Sequence, residues 1–359
     1  MSKKLIIVGG GYLGADLAKS LENDLDVTLV EPRKAFVHAP AMIRSVVDPS
    51  LLDEALMPYD NLLSKGNVIR AKVTEVNGDS VTLTDGTKLE ADYIVVATGS
   101  SNGGAFKPAG DNIDDFRAVV TGLNAKVKAA KTITIVGAGT VGTEMAGEII
   151  HAMPDKKITL ISTEKSVFPQ MPAKFGASLQ SKLEKSNVDL RFGVRVENLA
   201  SLTDPYAGSV TLSDGSTIDS DLIIPAIGSR AVSEVLKTLP NVNIQRNGRA
   251  DVDAYLRPSS YENVFAAGDV ADGGDAMTIV GIGRQAPWLA KTLKALAAGQ
   301  PIDRLKPYSP WKKAPLLLPL GPKIGNSYLV IGTFGDWVTR KMKGADLFIT
   351  KYRKLFGLA

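Results

Sequence analysis

One glycine-spaced turn occurs twice in this chain, and the repeat restricts the possible folds more than any other feature. "LIIVGGGYLGADLA" runs from Leu5 to Ala18 and "ITIVGAGTVGTEMA" from Ile133 to Ala146. Each joins a β-branched strand to a helix through Gly-x-Gly-x-x-Gly, at Gly9, Gly11 and Gly14 and again at Gly137, Gly139 and Gly142. The first glycine permits the tight turn and the second lets a pyrophosphate approach the backbone. The third packs helix against strand, and the helix amides face the phosphates. A single copy would equally describe a structural turn. Two copies, each after a strand and before a helix, predict two dinucleotide cradles.

The repeat extends beyond the cradles. "VTLTDGTKLEADYIVVATGS" (Val81 to Ser100) returns 129 residues later as "VTLSDGSTIDSDLIIPAIGS" (Val210 to Ser229), against 128 residues between Gly9 and Gly137. A strand, an Asp-Gly hairpin turn, a second strand and a buried apolar strand closing on glycine therefore occur twice. The cradles differ in chemistry. The strand of "LDVTLVEPRK" ends on Glu31, 17 residues past Gly14, where an acid can accept hydrogen bonds from both hydroxyls of an adenosine ribose. In "KKITLISTEK" Ser162 takes that place and Glu164 follows. A third signature, "YENVFAAGDVADGG" (Tyr261 to Gly274), sets Gly268-Asp269 at the end of an apolar strand, where the carboxylate can bind a ribityl hydroxyl beside a helix N-terminus.

In these motifs and their order the chain resembles the flavoproteins with two dinucleotide-binding domains. The residues that carry the likeness are Gly9, Gly11, Gly14, Glu31, Val96 to Gly99 (with Thr98 and Gly99 at the cofactor), Gly137 to Glu144, and Ala266 to Asp269. Within that superfamily "AFVHAPAMIRSVV" (Ala35 to Val47) and "KGADLFITKYRKL" (Lys343 to Leu355) are similar to stretches of the ferroptosis suppressor protein 1 group, also called apoptosis-inducing-factor-like mitochondrion-associated inducer of death. The resemblance implies an α/β chain with two Rossmann-like domains, doubly wound parallel sheets with β-hairpin excursions, and a short C-terminal segment. FAD would occupy residues 1–115 and 236–300, NAD(P)H residues 116–235, and residues 301–359 would close the chain. It implies an NAD(P)H:quinone oxidoreductase in which the flavin carries the chemistry and no metal takes part. Gly228 repeats the place of Gly99 in the second unit, and Glu144 would contact the nicotinamide half of NAD(P)H. Ser162 removes the penalty that an acid sets against a 2′-phosphate without supplying an arginine, so NADH and NADPH are both expected as donors.

Absences narrow the class. The chain has no cysteine, which excludes the thiol relays of disulfide reductases, sulfide:quinone oxidoreductases and flavin peroxidases. The 60 residues after Gly299 are too few for a dimerisation domain of roughly 100 residues. Two readings stay open beside quinone reduction. One is a reductase of a small one-electron carrier such as a ferredoxin or rubredoxin, and the other a redox-gated binding protein like apoptosis-inducing factor. The net charge of +4, with no Lys/Arg block interleaved with aromatics, argues against nucleic acid as a partner. No apolar run approaches the roughly 20 residues of a membrane span, "MSKK" offers no glycine for N-myristoylation, and a cytoplasmic protein without a leader is expected.

Among single residues, His38 follows Glu31 in the stretch that the resemblance brings near the flavin; a proton donor to a reduced quinone would suit it, as would a structural role. His151 reads as a solvated helix end, and Trp288, in a helix beginning at Gly283, as core. "PWKKAPLLLPLG" (Pro310 to Gly321) is too proline-rich for a regular helix and reads as a strand-like cover or a pocket wall. In the tail from Gly335, Val338, Met342, Ala345, Ile349, Tyr352 and Phe356 form one helical stripe, with Arg340, Lys343, Lys351 and Lys354 opposite. Such a stripe either docks on the enzyme's own core or rests on an anionic membrane surface, a peripheral contact that would bring the flavin to a lipid-soluble quinone.

Overall fold

The computed structural model describes residues 2–102 and 104–358. Lys4–Val8 is the central strand of a five-stranded parallel sheet, in the order Val264–Ala266, Tyr93–Val96, Lys4–Val8, Asp26–Val30, Asn67–Ile69. Its Leu5 to Val8 are all buried, as a strand covered on both faces requires. The edge strand Val264–Ala266 comes from beyond the second cradle, so the first unit is interrupted by the second. That second unit carries Val188–Phe192, Lys157–Ser162, Thr132–Val136 and Thr217–Pro225 as parallel neighbours, with Tyr206–Thr211 antiparallel at the edge. The architecture is the expected α/β pair of Rossmann-like sheets. The helix Ile113–Ala129 bridges the two units and runs across the expected 115/116 boundary.

The repeated hairpins are built differently. In the first copy Ser80–Leu83 and Lys88–Glu90 pair beside Val73–Val76 in a separate three-stranded sheet, and the chain enters the main sheet only at Tyr93. In the second, one strand, Thr217–Pro225, serves both the hairpin and the main sheet. Both turns need a left-handed residue, supplied by Gly86 (φ +86°) and Gly215 (φ +85°). Each is tied by its aspartate, Asp85 accepting from the Thr87 N–H and Asp214 from the Ser216 N–H, both at 2.9 Å.

Two sequence expectations are corrected here. The long helix after the third signature starts at Ile279, four residues before Gly283, because the Thr278 hydroxyl caps the Gly281 N–H at 3.2 Å. Asp269 itself sits in a short turn, Gly268–Val270. The tail is also not one helix. After an antiparallel sheet (Leu316–Leu320, Ile324–Leu329, Gly332–Phe334), it forms a helical turn at Asp336–Thr339 that widens to π-type over Arg340–Gly344. It then breaks at Leu347 and Phe348, both left-handed, and restarts as Ile349–Leu355. Met342 and Ala345 of the stripe are exposed, whereas Ile349, Tyr352 and Phe356 are buried. Tyr352 and Phe356 stack on Phe36, Tyr352 meets Tyr12 edge-on, and Phe356 meets Tyr59. The C-terminal half of the stripe therefore docks on the protein's own core, behind the first cradle.

Candidate functional site

In both cradles the outer glycines serve the turn and the middle one faces outward. Gly9 (φ +104°) lies so close to Ala97 that a methyl group would come within 2.6 Å of its carbonyl oxygen, and one on Gly14 would collide with the Gly9 carbonyl. Gly137 (φ +114°) and Gly142 repeat this against Ala226 and Gly137. A methyl group on Gly11 or Gly139 would meet nothing within 4 Å. The open side of each turn is thus where a diphosphate would approach.

The first turn is held from behind. The Gly10 N–H donates to Glu31 Oε2 at 2.7 Å and the Tyr59 hydroxyl to the Gly10 carbonyl at 2.8 Å. Glu31 is fully buried, and its Oε1 accepts from the Arg33 backbone N–H (3.0 Å) and from Arg33 Nε (2.7 Å). Arg33, rather than Glu31, lines a small cavity, of about 90 Å³, together with Gly11 and Gly99. Thr98, before Gly99, donates its hydroxyl to the Val232 carbonyl at 2.5 Å.

A larger cavity, of about 370 Å³, lies between the two units. The second cradle contributes Gly139, Glu144 and Gly228 to its wall, the start of the long helix Thr278 and Ile279, and the tail Leu316 and Phe348. Tyr12, Ala39, Lys107, Asp269 and Ile282 line both cavities and so mark their junction. At that junction Asp269 Oδ2 accepts from the Ser100 hydroxyl (2.6 Å) and from Lys107 Nζ (3.0 Å). Its Oδ1 carries no hydrogen bond among the described residues, although the side chain is nine-tenths buried. The adjacent Gly268 N–H donates to Gln285 Oε1 at 2.7 Å, which ties the Asp269 turn to the long helix. In the larger cavity the buried Ser229 hydroxyl also lacks a partner among the described residues. An open carboxylate oxygen, an orphaned hydroxyl and two outward-facing glycines suit a polyhydroxylated dinucleotide on each cradle.

Glu144 is buried, and burial pushes its carboxyl above the ordinary value. Its partner is Lys343, whose Nζ donates to Oε1 at 2.5 Å. One turn along the same helix Glu148 receives the Arg44 guanidinium, with Nη2 at 2.8 Å from Oε1, and Arg44 also donates to the Gly344 carbonyl at 2.7 Å. The helix Thr140–Ala152 is therefore clamped by a cation from the first unit and one from the tail. The solvated face expected for Lys343 is corrected, since its side chain is 12% exposed in this pair. Neither Lys343, Arg44 nor Lys107 carries a signal in a single sequence, because each finds its partner more than 100 residues away.

His38 is fully buried and lines neither cavity. Its Nε2 lies 2.6 Å from the Leu347 carbonyl, which can only accept, so Nε2 carries the proton and Nδ1 accepts from the Tyr12 hydroxyl at 3.1 Å. Burial pushes its pKa down to about 4. Ser162 accepts the Glu164 N–H at 3.1 Å and caps its own turn. Trp288 donates to the Lys306 carbonyl and packs on Tyr308, away from both cavities, and His151 is exposed.

The pyridine nucleotide-disulphide oxidoreductase family matches residues 3–292, and the chain belongs to it. It is 32% identical to apoptosis-inducing factor homolog B of Dictyostelium discoideum, over 98% of this chain and 96% of that one. It is 26% identical to ferroptosis suppressor protein 1 of Xenopus tropicalis, over 99% and 96% of the two chains. The fold is shared with the sulfide:quinone oxidoreductase of Aquifex aeolicus, with a TM-score of 0.77 at 17% identity, covering 98% of this chain and 90% of that one. The family implies FAD and NAD(P)H, and the protein is a flavin-dependent NAD(P)H oxidoreductase. Having no cysteine, it lacks the thiols of a disulfide exchange. Among the described residues no helix is long and apolar enough to cross a membrane.

Proposed function

We propose that this protein is an NAD(P)H:quinone oxidoreductase with FAD on the first cradle and the pyridine nucleotide on the second. The observation that carries this reading is the larger cavity. It joins Asp269 to the second cradle, and its lining includes apolar groups such as Pro40, Ile43, Ile279 and Leu317, which suit a flat apolar acceptor. The chemistry that FAD would supply there is acceptance of a hydride from NAD(P)H and release of two electrons to the acceptor. The chain's own part is to orient and to exclude water. Gly11 and Gly139 admit the two diphosphates, and the free oxygen of Asp269 takes a ribityl hydroxyl. Glu31 fixes the first turn and is the acid proposed for the adenosine ribose, with Arg33 beside it in the smaller cavity. Glu144, paired with Lys343, meets the nicotinamide side, and the tail closes the cavity. His38 positions Tyr12 and the tail rather than donating a proton. Ser162 at the strand end sets no acid directly against a 2′-phosphate, and both coenzymes are expected to serve as donors, with Glu164 two residues on favouring NADH. Steady-state NADH oxidation with a short-chain quinone, set against ferredoxin-coupled cytochrome reduction, tests the assignment.

A peripheral membrane contact belongs to the same proposal, with a changed location. The apolar half of the tail stripe is buried, whereas the hairpin tip bears Val330 and Ile331 at 62% and 85% exposure. Strand register puts this tip beyond the Leu316–Tyr328 pair, at the strand end that lines the cavity, and Lys313 lies over the Tyr328 ring. Ile331→Asp is expected to reduce co-sedimentation with anionic liposomes while leaving NADH oxidation by a soluble quinone intact. Equal sedimentation of both proteins would remove the tip from the account.

A further inference from the structure

An acidic residue at the junction of the two cavities poses an electrostatic problem. On the assignment just given, Asp269 lies against a cofactor whose diphosphate is itself anionic. An unpaired carboxylate so buried would repel it, and little water remains to screen the repulsion. Lys107 answers that problem in geometry. Its Nζ lies 3.0 Å from Asp269 Oδ2 and also bonds the Ser100 hydroxyl, its side chain is 28% exposed, and it lines both cavities. Its two bonds go to Oδ2 and to the Ser100 hydroxyl that itself donates to Oδ2, so Oδ1 stays open.

We infer that Lys107 is the positioning residue of the FAD site, a charge partner that lets the Asp269 carboxylate stand beside an anionic cofactor and aims its free oxygen at the ribityl chain. The other charges near Asp269 are already committed. Arg33, in the smaller cavity, is paired with Glu31, and Lys343, in the larger, with Glu144. Downstream, Asp272 is held by Arg249, and Asp275 by Tyr308 and Gln285. Tyr12, the remaining titratable neighbour, has its hydroxyl on His38.

The inference rests on FAD lying at Asp269, and the test separates the two claims. Free FAD is measured by ultrafiltration of the purified holoprotein over a dilution series. Lys107→Met should raise the FAD dissociation constant at least tenfold. Lys107→Arg should stay near the parent, and Lys107→Met combined with Asp269→Asn should bind more tightly than Lys107→Met alone, because a neutral amide no longer repels the diphosphate. A merely structural lysine would give a loss that Asp269→Asn does not relieve. That result, or an unchanged constant for Lys107→Met, would overturn the inference. A parent protein that binds no FAD would overturn the cofactor assignment beneath it.

Discussion

Acid should loosen the tail through one residue, His38. In the docked state its ring is fully buried between Tyr12 and the Leu347 carbonyl, with a pKa pushed down to about 4 by burial. The Leu347 hydrogen bond and Asp346 act against burial, and Lys343 and Lys351 with it. When the tail opens, the ring returns to water and to its ordinary value of 6.5. Above pH 6.5 both states are neutral and the contribution is complete. Below it the open state binds one more proton, so the docked state loses about 1.4 kcal/mol per pH unit, reaching about 3 kcal/mol near pH 4. At pH 5 the loss is about 2 kcal/mol, or roughly a 30-fold larger open population. Native-state amide exchange at Tyr352 and Phe356, whose N–H groups donate to the Phe348 and Tyr352 carbonyls, reads that population after correction for intrinsic exchange. His38→Gln keeps a donor towards Leu347 but cannot be protonated, so its protection should be flat over the same range. Protection in the parent that does not change between pH 7.5 and 5, or the same slope in His38→Gln, would refute the reasoning.

Gly11→Ala should leave the melting temperature of the FAD-free protein nearly unchanged while weakening FAD, since its methyl group meets nothing of the chain. Gly14→Ala, which drives a methyl group into the Gly9 carbonyl, should lower it by the equivalent of about 1–3 kcal/mol. Glu144→Ala is expected to keep FAD but slow flavin reduction by NAD(P)H at least about tenfold, read by stopped-flow bleaching; an unchanged rate would make the acid purely structural. Arg44→Met strands the buried Glu148 carboxylate and should cost about 3–5 kcal/mol, visible as a lowered unfolding temperature.

The cradles were readable because their determinants are local. Gly9, Gly14, Gly137 and Gly142 are fixed by turns a few residues long, and the apolar runs at Leu5 and Ile133 state their own burial. The tail was not readable in the same way. Its 3.6-residue period fits one helix from Val338 to Phe356, yet burying Tyr352 and Phe356 on Phe36 and presenting the Leu347 carbonyl to His38 require a sharp change of direction. Two left-handed residues supply it, and tertiary packing overrides the period. The partners of Glu144, Glu148 and Asp269 were hidden for a related reason. Lys343, Arg44 and Lys107 look like ordinary surface cations until the fold brings them to buried carboxylates. The start of the long helix was missed on a smaller scale, since the Thr278 cap precedes an apolar Ile-Val pair that reads equally well as strand.

On the function proposed above, electrons from NAD(P)H leave this flavoprotein on a quinone. With the FAD-loaded protein and NADH held constant, turnover is compared for ubiquinone and menaquinone analogues and for ferredoxin coupled to cytochrome reduction. Sustained NADH oxidation is expected with the quinones and none above background with ferredoxin, whereas turnover with ferredoxin alone, or with neither acceptor, would contradict the proposed acceptor.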